Sequence, residues 1–269
     1  MYEKWSVQRR IDEARLITKS LIDHVHYLLD LHENNAVAIY SDVLVKQITR
    51  ADAGAAFNVF QSAMRQFELV RLCALWDSAQ ADRESIMTVV ELIDNDNVIL
   101  ALAEETFAAY ANLSTAVYHQ DHETEEMRKL IADAMSRSNA EFGDQQAWKA
   151  IDDLKNAIKA TREFECGALM ASLRNHRDKY LAHSLRSTRR EKLGPIAPLQ
   201  YGNETAVLEK SLPIIEALYC WVNGTSISLT DSQESDRKNA QALWGACRFE
   251  ADVAVSPAPN LPRRSTASD

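Results

Sequence analysis

An eleven-residue stretch, 173–183, is the part of the chain best equipped for chemistry. It holds three cations that can bind phosphate and two histidines, which titrate near neutrality. Within it, Arg177 is followed by a polar residue, Asp178, and six positions on by His183. A guanidinium offers a planar fork of donors to phosphate oxygens, and an imidazole can accept or release a proton at working pH. This combination predicts chemistry on a phosphodiester.

Cleavage of RNA without a metal ion requires three groups. A base takes the proton of the 2′-hydroxyl, a cation stabilises the charge that develops on the phosphoryl oxygens, and an acid protonates the leaving 5′-oxygen. We predict that His183 is the base or the acid and that Arg177 is the cation. Asp178 could orient one of them or could simply lie at the surface. Three further cations are predicted to contact the RNA strand, namely Arg174, Lys179 and Arg186.

Helical geometry leaves the convergence of this pair open. On an ideal α-helix, Arg177 and His183 lie about 120° apart around the axis and share no face. Arg177 could reach sideways, the helix could bend or end between the two residues, or a second subunit in a C2 dimer could complete the site. A simpler interpretation is an amphipathic helix end, with a half-buried histidine and a surface arginine.

The elements that must position these residues are predicted to be helices. Glycine and proline number only 7 and 6 in 269 residues, and no proline precedes Pro195. Apolar residues recur with a helical period, and no alternating strand pattern is convincing. We predict helices over about 7–31, 36–48, 52–76, 82–92, 98–113, 121–140, 144–158, 160–183, 204–223 and 231–249.

This pattern predicts an all-α fold, an up-and-down helical bundle with extra helices at the C-terminus. The pair Asn34-Asn35 is expected to interrupt the first helical region, and residues 187–203 are expected to form a loop. We predict a single domain over residues 1–250. Residues 251–269 are rich in proline and small polar residues, which predicts a disordered tail.

Charge is distributed unevenly along the chain. The formal net charge is −9, which argues against a polycation that coats nucleic acid. From Ala171 to Lys192 there are seven basic and two acidic residues, a net of +5, which leaves 23 basic and 37 acidic residues elsewhere. A local basic stretch on an acidic body is compatible with a focused anion site, or simply with a solvated helix end.

Cysteine spacing and hydropathy indicate the compartment. The four cysteines are far apart and form no CxxC pair, which favours free thiols in a reducing compartment over disulfides or a zinc site. The N-terminus lacks a signal-peptide core, and no apolar run reaches membrane-spanning length. We therefore expect a cytoplasmic protein that makes no contact with a membrane.

A second group of residues could hold a divalent cation. His119 and His122 lie close to Glu125 and Glu126, so two imidazoles and a carboxylate are within reach of one another on a helix. A metal-dependent hydrolase is therefore a separate hypothesis. The alternative is a solvated face, since the stretch is highly charged.

The phrase Arg-Asp-Lys-Tyr-Leu-Ala-His at 177–183 resembles the signature of the HEPN superfamily. That signature is an arginine, usually followed by a polar residue, with a histidine after four to six intervening positions. The phrase is most similar to AbiU-type HEPN proteins of bacterial abortive-infection systems. The segment Leu72–Asp77, followed by Ser85-Ile86, is similar to earlier helices of that group, so that the resemblance covers most of residues 1–225.

The resemblance implies a helical-bundle endoribonuclease that needs no metal ion or other cofactor, with its cleft at a homodimer interface. It assigns Arg177 and His183 as the catalytic pair and Asp178 as the polar neighbour. It also implies RNA as the substrate, a role as a toxin or anti-phage effector, and an antitoxin as a possible partner. Many HEPN proteins are not proven nucleases, and Asp178 stands where asparagine is common. A catalytically inactive HEPN-like binding or regulatory module is therefore the alternative.

Overall fold

The computed structural model describes residues 2–48, 51–113 and 124–248, and within these ranges it contains helices and no strand. The ten α-helices are α1 (Val7–Tyr40), α2 (Asp42–Gln47), α3 (Ala51–Leu75), α4 (Ile86–Ile93), α5 (Asp96–Ala111), α6 (Glu125–Glu165), α7 (Ala168–His176), α8 (Arg189–Leu193), α9 (Asn203–Asn223) and α10 (Leu229–Ala246). A π-helical turn, Arg177–Leu181, follows α7. The predicted all-α helical bundle is confirmed.

Helix α1 is the centre of the bundle and packs against α3, α4, α5, α9 and α10. Its apolar residues recur at helical spacing, and Ile11, Leu21 and Leu28 are almost completely buried. The short helix α4 is buried on nearly every face, which explains why its sequence, IMTVVELI, is apolar almost throughout. The core therefore lies between α1, α4 and the long helices around them.

The predicted interruption at Asn34-Asn35 is wrong, because α1 continues through both residues. The Asn34 amide donates to the Asp30 carbonyl one turn earlier. Asn35 is buried, and its amide donates to the side chain of Glu68 on α3. Both asparagines thus find hydrogen-bond partners without leaving the helix, and the break that their side chains usually favour does not occur.

The predicted division of residues 121–158 into two helices is also wrong, because α6 runs unbroken from Glu125 to Glu165. Gly143 lies within it at a close approach to α5. A Cβ atom at Gly143 would lie 3.1 Å from the Phe107 ring and from the Phe107 carbonyl oxygen. The glycine permits packing of two helices instead of ending one.

The helix that leads into the motif begins later than predicted. Helix α6 ends at Glu165, and α7 begins at Ala168 after Gly167. A Cβ atom at Gly167 would lie 3.0 Å from the Phe164 carbonyl oxygen, which the Gly167 N–H contacts. This tight turn separates the motif-bearing helix from α6.

Three arginines hold the C-terminal ends of helices in place. Arg10 donates to the Leu92 carbonyl at the end of α4, and Arg15 donates to the Val222 carbonyl near the end of α9. Arg174 donates to the Trp76 carbonyl just beyond α3. Carbonyls at a helix C-terminus lack partners within the helix and attract cations, so these contacts stabilise the bundle.

The predicted loop over 187–203 contains the five-residue helix α8. No helix among the described residues combines the length and hydropathy needed to cross a lipid bilayer. The predicted tail, 251–269, lies outside the described residues.

Candidate functional site

The motif arginine lies at a change of helix type. Helix α7 ends at His176, and the Ala182 N–H then donates to the Arg177 carbonyl over 2.8 Å, a π-helical bond. The Leu185 N–H closes a wider turn on the Lys179 carbonyl at 3.0 Å. The regular α-helix therefore ends just before Arg177, and the π turn with the turn after it separates Arg177 from His183. π-helical turns frequently occur at functional sites.

Two carboxylates fix the guanidinium of Arg177. Its Nε donates to Asp178 at 3.0 Å, and its Nη1 donates to Asp77 at 2.9 Å. Asp77 follows the end of α3, so that this ion pair joins α3 to the π turn. Burial acts to lower the pKa of Arg177, but the hydrogen bonds and neighbouring negative charges, Asp178 first, outweigh it and raise the pKa. The arginine is thus charged, half-buried and fixed in direction.

His183 has a different environment. It is exposed, and its side chain makes no hydrogen bond or ion pair with any residue that the structure describes. Within this chain, its imidazole is therefore not hydrogen-bonded to the Arg177 guanidinium. The ring is accessible to a substrate or to a second subunit.

The three cations predicted to bind RNA occupy unequal positions. Arg174 is largely buried, with its side chain 15% exposed, and it contacts the Trp76 carbonyl and Glu165. Lys179 donates to Glu191 at 2.8 Å, and this hydrogen bond raises the pKa of Lys179. Arg186 is exposed and its side chain has no partner within the described residues. RNA binding by these three residues stays a prediction.

A polar network beneath the motif was not predicted. Asn175 donates to Glu191 at 3.1 Å, and the hydroxyl of Thr188 donates to Asn175. Glu191 also accepts from the Thr188 N–H, and together with Lys179, the largest influence, these bonds lower the pKa of Glu191 to about 2. The network joins α7, the π turn and α8. The Thr-x-x-Glu capping box at 188–191 is the sequence signal that could have revealed its α8 half.

Two other titratable groups lie close to the motif. The ring of His176 packs against Tyr180, with their centroids 5.1 Å apart. Burial, with a smaller effect from the charge of Arg65, lowers the pKa of His176. Cys73 is buried on α3, and burial raises the pKa of its thiol to about 12. His176 is therefore largely uncharged at neutral pH, and the Cys73 thiol is not a nucleophile there.

The hypothetical metal site cannot be assembled from the described residues. His119 and His122 lie outside them, and Glu125 and Glu126 are exposed at the start of α6. Within residues 2–48, 51–113 and 124–248, no group of three or more histidine, cysteine, aspartate or glutamate side chains is arranged to hold a metal ion.

The family comparison agrees with the motif and the fold. The HEPN family model described as AbiU2 matches residues 7–243, which include nearly all of the described helices and the whole Arg177–His183 segment. No curated protein and no solved structure matches the chain. Since the family model spans far more than half of the sequence, the chain belongs to the AbiU2 family of abortive-infection HEPN proteins.

Proposed function

We propose that this protein is a metal-independent endoribonuclease that acts as an abortive-infection effector or toxin. The observation that carries the proposal is the π-helical turn, which separates a fixed, charged Arg177 from an exposed His183 that has no partner among the residues the structure describes. A catalytic arginine gains from a fixed direction, because its donors need no reorganisation in the transition state. A general base needs an accessible ring nitrogen.

The proposed reaction is an internal transesterification. His183 takes the proton of a ribose 2′-hydroxyl, and the 2′-oxygen attacks the adjacent phosphorus. The bond from phosphorus to the 5′-oxygen breaks, and a protonated imidazole returns a proton to that leaving oxygen. Arg177 stabilises the negative charge on the phosphoryl oxygens. The products are a 2′,3′-cyclic phosphate and a 5′-hydroxyl.

A second copy of the chain would supply a second histidine, so that one imidazole acts as base and the other as acid. Helix α3 supports this homodimer, since it packs against the π turn and carries four exposed apolar side chains, Val59, Phe60, Phe67 and Val70. Two of these, the rings of Phe60 and Phe67, also contact Trp244 and Tyr27 of the same chain. Val59 is 70% exposed. Apolar surface of this kind marks protein interfaces.

The dimer is tested by sedimentation equilibrium. Val59→Lys is expected to shift the protein towards monomers and to reduce RNA cleavage with it. Leu100→Lys on α5 is the matched control, because Leu100 is an exposed apolar residue of another helix. Two results would contradict this interface. Wild type could be monomeric at the working concentration, or the Val59→Lys variant could be as dimeric as wild type.

The nuclease is tested by cleavage of labelled single-stranded RNA. We expect His183→Ala and Arg177→Ala each to reduce the cleavage rate about 100-fold or more. His26→Ala is the control, since His26 lies on α1, away from the motif in the sequence and on a different element. Equal cleavage by wild type and both motif variants would disprove the residue assignment.

Chelation distinguishes the metal-dependent hydrolase from the proposed metal-independent nuclease. The proposed nuclease is expected to retain its rate in EDTA, because the mechanism uses only side chains. Loss of activity in EDTA, restored by a divalent cation, would favour a hydrolase that uses His119 and His122. His119→Ala would then abolish cleavage while His183→Ala would not.

One observation favours a second candidate, a binding or regulatory module without turnover. Asp77 and Asp178 place two negative charges on one guanidinium, which weakens the positive potential available to a phosphate. This candidate predicts RNA or protein binding by wild type with no cyclic-phosphate product. Product analysis therefore distinguishes the two.

The biological role is tested by induced expression. A ribonuclease effector is expected to slow growth, and His183→Ala is expected to relieve the effect at equal protein level. A neighbouring antitoxin, if the protein works in a pair, would restore growth when co-expressed. Equal growth inhibition by folded His183→Ala would count against catalytic toxicity.

A further inference from the structure

The segment after the motif histidine carries a cluster of free cations. Between Ala182 and Gln200 the sequence contains four basic side chains and a single acidic one, Glu191. The four are Arg186, Arg189, Arg190 and Lys192. All are exposed, and their side chains form no hydrogen bond or ion pair with the rest of the described chain.

The one acidic residue of this segment does not neutralise these cations. Glu191 accepts hydrogen bonds from Lys179, Asn175 and the Thr188 N–H. Its carboxylate is therefore directed at α7 and the π turn, and the exposed surface of α8 keeps its positive charge. On a protein with a net charge of −9, such an uncompensated patch is a focused site for an anion.

The patch is also held in place, unlike cations on a free loop. Thr188 is 2% exposed, and its hydroxyl donates to Asn175, itself buried on α7. The capping box of Thr188 and Glu191 fixes the first turn of α8. Helix α8 is therefore attached to α7, which leads directly into the π turn that begins at Arg177. A fixed set of cations loses less conformational entropy when it binds an anion.

Chain connectivity keeps the patch close to the motif. Arg186 is three residues from His183, so that their Cα atoms lie within about 11 Å, and Arg189 is six residues away, within about 22 Å. Tyr180 is three residues before His183, so their Cα atoms lie within about 11 Å, and this tyrosine is 63% exposed. An exposed aromatic ring beside a positive track is a feature of surfaces that bind single-stranded nucleic acid.

We propose that α8 is the platform that binds single-stranded RNA for the site at His183. Arg189, Arg190 and Lys192 contact phosphates, Arg186 contacts the phosphate next to the cleavage position, and Tyr180 stacks on a base. The proposal rests on the proposed ribonuclease function and identifies its substrate as an unpaired strand. It also gives two roles to the cations of the basic stretch. Arg174 and Lys179 bind other residues of the protein, whereas the α8 cations bind the RNA.

The test measures binding separately from cleavage, in full-length protein carrying His183→Ala. The dissociation constant for a labelled unpaired RNA is measured at several salt concentrations. The His183→Ala protein is compared with the same protein carrying the triple change Arg189→Ala, Arg190→Ala, Lys192→Ala. Each phosphate contact to a single strand contributes about 0.7 to the slope of log K against log salt, so the triple variant is expected to lose about 2 from that slope. Its affinity at low salt is expected to fall about tenfold or more.

Two further proteins make the result specific. The control, Lys4→Ala, Lys129→Ala, Lys155→Ala, removes the same number of exposed cations from other elements and is expected to leave the slope unchanged. The variant Arg189→Lys, Arg190→Lys keeps the charges and is expected to retain the slope. Circular dichroism and urea unfolding check that the triple variant is folded.

The outcomes separate this proposal from the proposed function. Absence of cleavage by wild type, together with a slope that depends on α8, disproves the nuclease and supports the platform. Cleavage that depends on His183, together with an unchanged slope in the triple variant, supports the nuclease and overturns the platform. Tighter binding to a perfect duplex than to the unpaired strand, or no detectable RNA binding, also overturns it.

Discussion

Two polar clusters of this protein use similar residue types for different ends. In the first, between α1 and α3, His32 bonds to Glu68 at 2.7 Å and Asn35 donates to the same carboxylate at 2.6 Å. All three residues are at most 6% exposed. In the second, around the π turn, Arg177 is equally well bonded, but His183 and the α8 cations have no partner within the described chain.

The contrast separates structure from function within one molecule. A buried charge must be compensated, so each member of the His32 cluster is bonded to another member. An exposed imidazole and exposed guanidinium groups without partners contribute little to folding, and they stay available to a ligand. We therefore expect changes in the first cluster to alter stability, and changes in the second to alter RNA chemistry.

The largest expected effect tests the buried cluster. Glu68→Ala removes the carboxylate that His32 and Asn35 share, and it leaves their polar groups buried without that partner. Breaking a buried pair in this way costs about 3 kcal/mol or more in the free energy of unfolding, measured by urea denaturation. Glu68→Gln, which keeps one acceptor, is expected to lose less.

The same variant sharpens the comparison of the two clusters. At a temperature where Glu68→Ala is folded, its RNA cleavage rate per folded molecule is expected to equal that of wild type. A large loss of cleavage with an unchanged free energy of unfolding would mean that the buried cluster belongs to the site.

The next effect tests the geometry of the second cluster. Arg177→Lys keeps the positive charge but loses the fork that bonds Asp77 and Asp178 together. We expect the cleavage rate to fall about 100-fold, as for loss of one transition-state donor. Arg83→Lys is the matched control, because Arg83 lies 3.8 Å from the same Asp77 and has no assigned catalytic role. Full activity of Arg177→Lys would show that charge alone is sufficient.

The sequence predicted the helical class, the motif and the family, because these depend on local patterns. Helical periodicity is a short-range signal, and Arg177 and His183 are six residues apart. The predicted breaks at Asn34-Asn35 and near Gly143 were wrong for the opposite reason. Asn35 finds its partner in Glu68, 33 residues away, and Gly143 is needed by Phe107 on another helix.

The partners of the residues around the motif could not be predicted either, because these partners lie far away in the sequence. The RNA contact of Arg174 stays a prediction, and only the fold shows that its guanidinium donates to the Trp76 carbonyl, 98 residues away in sequence. Asp77 lay within a segment that carried the family resemblance, yet nothing local showed that it would bond Arg177. Composition identifies a basic stretch, whereas only the fold shows which of its cations are already bonded.

A smaller effect is expected where the two kinds of cluster meet, at the joint between α7 and α8. Asn175→Ala removes the bonds to Thr188 and Glu191, and the loss of a buried hydrogen-bonding partner costs about 1 to 2 kcal/mol. Because α8 is attached through this joint, hydrogen exchange is expected to accelerate in α8 and not in α1. Uniform acceleration across the protein would show that Asn175 supports the whole fold.

The smallest expected effect is the pH dependence of the buried cluster. Burial acts to lower the pKa of His32, but the hydrogen bond and charge of Glu68, with Glu33 and Glu204, outweigh it and raise the pKa above its ordinary value of 6.5. A raised pKa in the folded state means that the stabilisation is fully present below pH 6.5 and is lost as the pH rises through the folded pKa. The urea concentration at the midpoint of unfolding is therefore expected to fall for wild type as the pH rises from 6.5 through the folded-state pKa of His32. The midpoint of the His32→Gln variant is expected to change less with pH. His32 is buried against α3 and lies away from the exposed residues of the π turn. The RNA affinity of the His183→Ala protein is therefore expected to stay constant over the same pH range. If the urea midpoints of wild type and His32→Gln change equally with pH, the pH dependence belongs to another group.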